Sequence, residues 1–226
     1  FEPDTSATLL GERYPLPFGV APVGMSGLIW PHAERKLATA ATAAGLPYTL
    51  STVACQTPES IGPHVDGKGW FQLYAPRAID VRKDTLKRVR DAGFRTLVVT
   101  LDVPVASRRE RQTRSGLTHP PALTPRLLAQ IAMRPSWALG MARAGRPGMP
   151  LIASYTQPKI GLPTTAHIGY LIRTAPDWEY LHWIREAWDG PLVVKGVMQV
   201  ENVAGLKAAG VDALWVSNHA GRQFDA

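Results

Sequence analysis

The chain has 226 residues, 45% of them hydrophobic and 19% charged, which is enough for one large domain with a buried core and excludes an intrinsically disordered chain. No run of 18 uncharged apolar residues supplies a transmembrane helix, the first residues lack the pattern of a signal peptide, and the single cysteine, Cys55, excludes an intrachain disulfide framework and reads as a small buried residue. The net charge of +7 is localised: Val103 to Pro176 carries ten of the 25 Lys and Arg but only one of the 18 acids, Glu110. That excludes a generally nucleic-acid-binding surface and points to one basic region with its own partner.

Short apolar runs alternate with helical patterns along the chain. Pro17–Pro22 reads as a first strand and Glu34–Ala44 as a helix. Tyr48–Ser51 and Trp70–Tyr74 are the next strands. Asp80–Ala92 is a helix, with Val81, Leu86, Val89 and Ala92 near one face, and Thr96–Asp102 is a buried-type strand. Asp177–Trp188 (helix), Leu192–Gly196 (strand), Gln199–Ala209 (helix) and Ala213–Asn218 (strand) complete the series. Two of the helices run into a matching Ala-Gly turn, Ala92-Gly93 and Ala209-Gly210, where glycine suits a C-terminal cap. Such alternation implies a parallel sheet, in a (β/α) barrel or a doubly wound arrangement. The stretch 103–176, rich in proline, is too long for an ordinary connection and reads as an insertion within a single domain spanning 1–226.

In a parallel barrel, the active site lies at the C-terminal ends of the strands. The six expected strands deliver there, in order, Pro22-Val23-Gly24, Ser51-Thr52-Val53, Gln72 and Tyr74, Thr100 and Asp102, Lys195, and Ser217-Asn218-His219 with Arg222. Polar side chains at the ends of otherwise apolar strands need partners, so packing alone does not account for them.

The strings APVGM (21–25), LSTV (50–53), WFQLY (70–74), TLDVP (100–104), SRRER (107–111), VVKGV (193–197) and SNHAGRQFD (217–225) occur in this order. Together they resemble the FMN-dependent 2-hydroxy-acid dehydrogenase and oxidase family. The resemblance implies an α/β TIM (β/α)8 barrel, of which these residues supply about six strands. The family's later phosphate-gripping segment is not among them. It also implies an FMN cofactor, with the backbone at Pro22, Val23 and Gly24 against the flavin ring and polar contacts from Ser51, Gln72 and Thr100. Lys195 would lie by the pyrimidine side of the ring, where positive charge favours the electron-rich reduced form.

His219 is the implied catalytic base. A 2-hydroxy acid loses two electrons and two protons to become a 2-oxo acid, and a neutral imidazole can accept one of those protons. Asp102 would orient the ring, and Tyr74 would point its hydroxyl at the substrate oxygen. Arg109 and Arg222 would clamp the carboxylate through their planar forks. Val53 would face the substrate side chain, leaving room for a methyl group, so L-lactate is the expected substrate. Mandelate or glycolate chemistry of the same family is the alternative. Gly24, beside the reactive edge of the flavin, favours a dehydrogenase over an oxidase. No metal is implied.

Two apolar helical patterns, Leu123–Met133 and Trp137–Met141, carry Arg126, Arg134, Arg143 and Arg146 in or beside them and no acid. A basic, Trp-bearing helix pair suits a membrane interface, so peripheral contact through 120–148, a location at the inner, cytoplasmic face of the cell membrane and electron transfer to a quinone are expected. Covering the barrel mouth is the competing role for these helices. A homo-oligomer is also expected, and a truncated, inactive barrel acting as a membrane-bound interaction module is the non-enzymatic alternative.

Overall fold

The computed structural model describes residues 3–103, 114, 124–156 and 176–222. Seven strands are seen among them. β1 (Ala7–Leu9) and β2 (Glu12–Tyr14) form an antiparallel hairpin. β3 (Thr49–Ser51), β4 (Gly69–Leu73), β5 (Phe94–Thr100), β6 (Leu192–Val197) and β7 (Ala213–Val216) form one parallel sheet. Each strand of that sheet lies beside its neighbour in the chain, with no reversal of order.

The strand expected at Pro17–Pro22 is reduced to a single parallel bridge, Val20 to Tyr48. The segment does run along β3, with Val20 N donating to Pro47 O and Thr49 N to Val20 O. Prolines at both of its ends cannot donate to a ladder, so pairing extends no further. The hairpin went unread because its strands are only three residues long. Its two-residue turn, Leu10-Gly11, has both φ angles positive, at 53° and 78°. Gly11 suits that geometry and Leu10 gives no sequence signal for it.

The connecting helices α1 (Ser26–Ile29), α2 (Ala33–Ala43), α3 (Pro58–Ile61), α4 (Ile79–Asp91), α8 (Trp178–Ala187) and α9 (Asn202–Ala208) are set by local chemistry. In α4, Thr85, Leu86 and Val89 are buried, Asp80 stands in the first turn and Arg88 and Arg90 in the last, matching the helix dipole. The Asp177 side chain caps α8 by accepting from Tyr180 N at 2.8 Å. Gly93 and Gly210 follow α4 and α9 at positive φ.

Strand alternation gives the sheet two chemically different faces. Leu50, Phe71, Leu73, Leu97, Val99, Leu192 and Val194 point to the helices and pack with Ile61, Leu86, Val89, Leu181, Ile184, Trp188 and Leu206 as the main core. Trp70, Val98 and Val193 point the other way and form a second cluster with Leu10 of the hairpin, Ala213 and Trp215. The hairpin is therefore a plug against the N-terminal end of that face. Glu12 fixes it there through ion pairs with Lys68 and Arg95.

Between β5 and α8 the described residues include α5 (Pro125–Ala132), α6 (Pro135–Ala144) and α7 (Pro150–Ala153). Pro125, Pro135 and Pro150 each start one of these helices, where a missing N–H costs nothing. Leu151 and Ile152 of α7 are buried, whereas Leu128, Met133 and Leu139 of the α5–α6 pair are exposed. Trp137 Nε1 donates to Leu28 O at 3.3 Å, so α6 is seated against α1. No helix among the described residues is long and apolar enough to cross a membrane.

Candidate active site

At the C-terminal end of the plugged face, the inward residues become polar. Gln72, on β4, is 2% exposed and holds its neighbours together. Ser51 Oγ donates to Gln72 Oε1 and Gln72 Nε2 donates to Thr100 Oγ1, both at 2.9 Å. Three strands thus share one hydrogen-bonded row. Thr52, next in the chain, donates its hydroxyl to Gln72 O and accepts from Tyr74 N, which fixes the backbone entering Tyr74.

A second, charged chain crosses the same end. Asp102 is 3% exposed, just past β5. Its Oδ1 lies 2.8 Å from His219 Nδ1, and its Oδ2 lies 3.6 Å from Lys195 Nζ on β6. On the far side of the imidazole, His219 Nε2 is 3.4 Å from the Tyr74 hydroxyl. Ser217 ties the pieces together, its Oγ accepting from Lys195 Nζ and from His219 N, each at 3.0 Å. Burial lowers the Lys195 amine from its ordinary value, and the Asp102 carboxylate opposes that shift. Asp102 Oδ2 is buried and makes no hydrogen bond, so Lys195 answers its charge without closing the geometry.

The backbone is bent to achieve this. His219 and Ala220 both have left-handed φ, 59° and 55°, in a short 3-10 turn that Asn218 caps by accepting from Gly221 N. A non-glycine residue held there carries strain, which the contacts around the turn must hold in place. Gly196 has φ of 97°, and a Cβ there would stand 2.6 Å from Asp102 Cβ and 2.9 Å from its N. Only glycine at 196 lets Asp102 sit against β6.

The sequence-derived residues fall into three groups. Ser51, Gln72, Thr100, Tyr74, Asp102, Lys195 and His219 are joined by the contacts above. Pro22, Val23, Gly24 and Val53 lie on two adjacent loops, linked by Met25 N donating to Val53 O at 2.9 Å and by the close approach of Gly24 to the Val53 side chain. Arg222 is exposed, one turn from His219, and its N donates to His219 O. Arg109, with the rest of the SRRER run, lies outside the described residues, as do 120–123 at the start of the basic helical segment and Gln223 after Arg222. Ser217 and Gly196 were not singled out as site residues. Both sit within the quoted strings, and a serine two residues before His219 and a glycine after Lys195 are the only signals available.

The sequence profile of the FMN-dependent dehydrogenases matches residues 1–226. The chain belongs to the FMN-dependent dehydrogenase family. Members of the family resemble it along its whole length. An L-lactate dehydrogenase of Ectopseudomonas mendocina (strain ymp) is 38% identical over 228 residues, and one of Pseudomonas aeruginosa (strain LESB58) is 38% identical over 221. These alignments cover 99% and 96% of the chain but 59% and 57% of the relatives, so the chain spans less than two thirds of their length. Among solved structures of the family, the monotopic membrane protein (S)-mandelate dehydrogenase superposes with a TM-score of 0.89 at 31% identity, over 99% of the chain and 59% of that protein. A soluble mutant of the membrane-associated (S)-mandelate dehydrogenase from Pseudomonas putida gives 0.75 at 30% identity, over 99% and 57%.

Proposed function

We propose that the protein oxidises a short L-2-hydroxy acid, L-lactate first, to the 2-oxo acid with bound FMN as the electron acceptor. The observation that carries this reading is the chain Tyr74–His219–Asp102–Lys195 at the C-terminal ends of parallel strands. The sequential strand order, helices on one face and a plug on the other support a (β/α)8 barrel as the frame, with 103–176 inserted into one domain. The residues fit the flavin. Ser51, Gln72 and Thr100 offer a polar row, Lys195 adds a positive charge beside it, and Val23 and Gly24 are exposed, leaving room for a planar ring.

Each side chain then has a task. Asp102 holds His219 Nδ1 as the protonated nitrogen, so the neutral ring presents the Nε2 lone pair next to the Tyr74 hydroxyl. His219 takes one of the two protons the substrate loses, and Asp102 stabilises the imidazolium that results. Arg222, with Arg109, grips the substrate carboxylate, and Val53 meets its side chain. FMN, when bound, supplies a two-electron acceptor.

The acceptor after FMN is a membrane quinone or a similar carrier. Exposed Leu128, Met133 and Leu139 beside Arg126, Arg134 and Arg143, with no acid in 124–156, support peripheral contact with an anionic bilayer at its inner face. Mandelate is the second substrate, favoured by the mandelate dehydrogenase superposition. The test is a visible flavin spectrum on the purified protein. L-lactate is expected to bleach it anaerobically, with a higher kcat/KM than mandelate, and a quinone analogue to restore it faster than air. An unbleached flavin would end the reading; faster return in air would make the protein an oxidase.

A further inference from the structure

Glu34 is the least expected buried group outside the chain just described. It lies in the first turn of α2, 1% exposed, and no cation pairs with it among the described residues. A buried carboxylate is costly unless its hydrogen bonds are made. Its Oε1 makes two, accepting from Gly27 N at 3.1 Å and from Cys55 N at 2.9 Å. Those two amides belong to different segments of the chain. Gly27 is in α1, directly after Pro22–Met25, and Cys55 follows Val53 after β3.

The loops are packed too closely to be held by chance contacts. A Cβ at Gly27 would stand 2.7 Å from Cys55 Cβ, and one at Gly24 would stand 2.6 Å from Val53 Cγ2. Met25 N to Val53 O is the only other hydrogen bond between the two loops among the described residues. Cys55 is therefore half-buried at a seam, not a core residue, and burial beside Glu34 pushes its thiol up to about 11.

We propose that Glu34 is a positioning residue: its carboxylate clamps the loop at 22–27 to the loop at 52–55 and so fixes the distance between the backbone that faces the flavin and the side chain that faces the substrate. The proposal rests on the functional reading above for what those two loops face. It acts through geometry. The hydride- or proton-donating carbon of a substrate seated on Val53 keeps its place over the ring only while the loops keep theirs, and small misplacements of reacting groups cost on the order of 10²-fold in rate.

Glu34→Gln and Glu34→Met separate the clamp from mere filling. Both nearly preserve volume, but only Gln retains an oxygen that can accept from both amides. Two readouts apply: the rate of flavin reduction by saturating L-lactate in rapid mixing, and hydrogen exchange at the Gly27 and Cys55 N–H groups. The Gln variant is expected to keep both amides protected and to reduce within about tenfold of the wild-type rate, and the Met variant to lose protection and fall on the order of 10²-fold. If the Met variant does not fold, Glu34→Asp, one methylene shorter, is expected to protect one amide and to be slower than Gln. A Met or Asp variant that matches the Gln variant in both readouts overturns the clamp. A wild-type flavin that L-lactate never reduces overturns the functional reading and, with it, the purpose assigned to the clamp, while exchange at the two amides still reports whether the clamp exists.

Discussion

One face of the parallel sheet holds two regions built from the same strands. Toward the N-terminal ends, Trp70, Val98 and Val193 are apolar and meet Leu10 of the hairpin plug. Two residues further along β4, β5 and β6 stand Gln72, Thr100 and Lys195, all buried and all polar. The strand backbone is equally regular in both regions, so the difference is one of purpose. The apolar end is closed by the protein's own hairpin and contributes stability. The polar end is hydrogen-bonded along one row and joined along another by the contacts of a buried Asp102 with Lys195 and His219. On each of these three strands the change from apolar to polar takes a single period of alternation.

The largest effect that tests this separation comes from His219→Gln. Gln keeps a polar tip and cannot accept the proton, so flavin reduction should fall by about 10²–10⁴-fold, with the thermal midpoint little changed. Rapid-mixing reduction and a melting curve on the same preparation measure both. Near-normal reduction would require a different base. Trp70→Ala is the counterpart at the other end. It empties the space under Leu10 of the plug, and should cost about 3–5 kcal/mol in urea unfolding. Its rate of flavin reduction, measured where the variant is folded, should stay near wild type. A Trp70→Ala protein that is stable but slow would join the two regions.

How much of this was legible follows the same division. Apolar alternation and Ala-Gly caps place five of the six expected strands to within a few residues, and strand-end arithmetic brings Ser51, Gln72, Thr100, Asp102, Lys195 and His219 to one end. The first strand fades to a bridge because Pro17 and Pro22 remove its donors. The hairpin is invisible because three-residue strands have no period to read and Leu10 is an unusual turn residue. The clamp at Glu34 is hidden for another reason. A glutamate in the first turn of a helix is what dipole chemistry favours anyway, so its sequence context says nothing about the two amides it holds.

Gly196→Ala should produce an intermediate effect, and one that crosses between the regions. At φ of 97° a Cβ is strained whatever surrounds it, and here it also meets Asp102 at 2.6 Å. About 1–3 kcal/mol of stability should be lost to backbone strain. Unlike Trp70→Ala, this variant should also slow flavin reduction, because Asp102 must move away from His219 Nδ1. Circular dichroism melts and rapid mixing, run together, check it. A loss of stability alone would mean that Asp102 does not need its seat on β6.

The smallest effect is a pH dependence belonging to the polar end. Burial holds the folded Lys195 amine below its ordinary 10.5, with Asp102 pulling the other way and the net shift downward. Below the folded value, the amine is charged in both states and the fold carries the whole burial cost. Between the folded value and 10.5, the unfolded chain still binds a proton that the folded chain has released. The unfolded state then binds more protons, so stability from this group rises with pH across that window. The side chains at the apolar end, Trp70, Val98 and Val193, do not titrate, and the groups of the plug beside them are common to both proteins compared below. Urea midpoints of flavin-free protein at several pH values up to 10.5, for wild type and Lys195→Met, isolate the group because the tyrosines and other lysines cancel in the difference. Wild type should gain on the variant as pH rises. A difference that stays flat would mean that Asp102 fully offsets the burial of Lys195, and that the polar end of the face carries no stability cost for holding its charge ready.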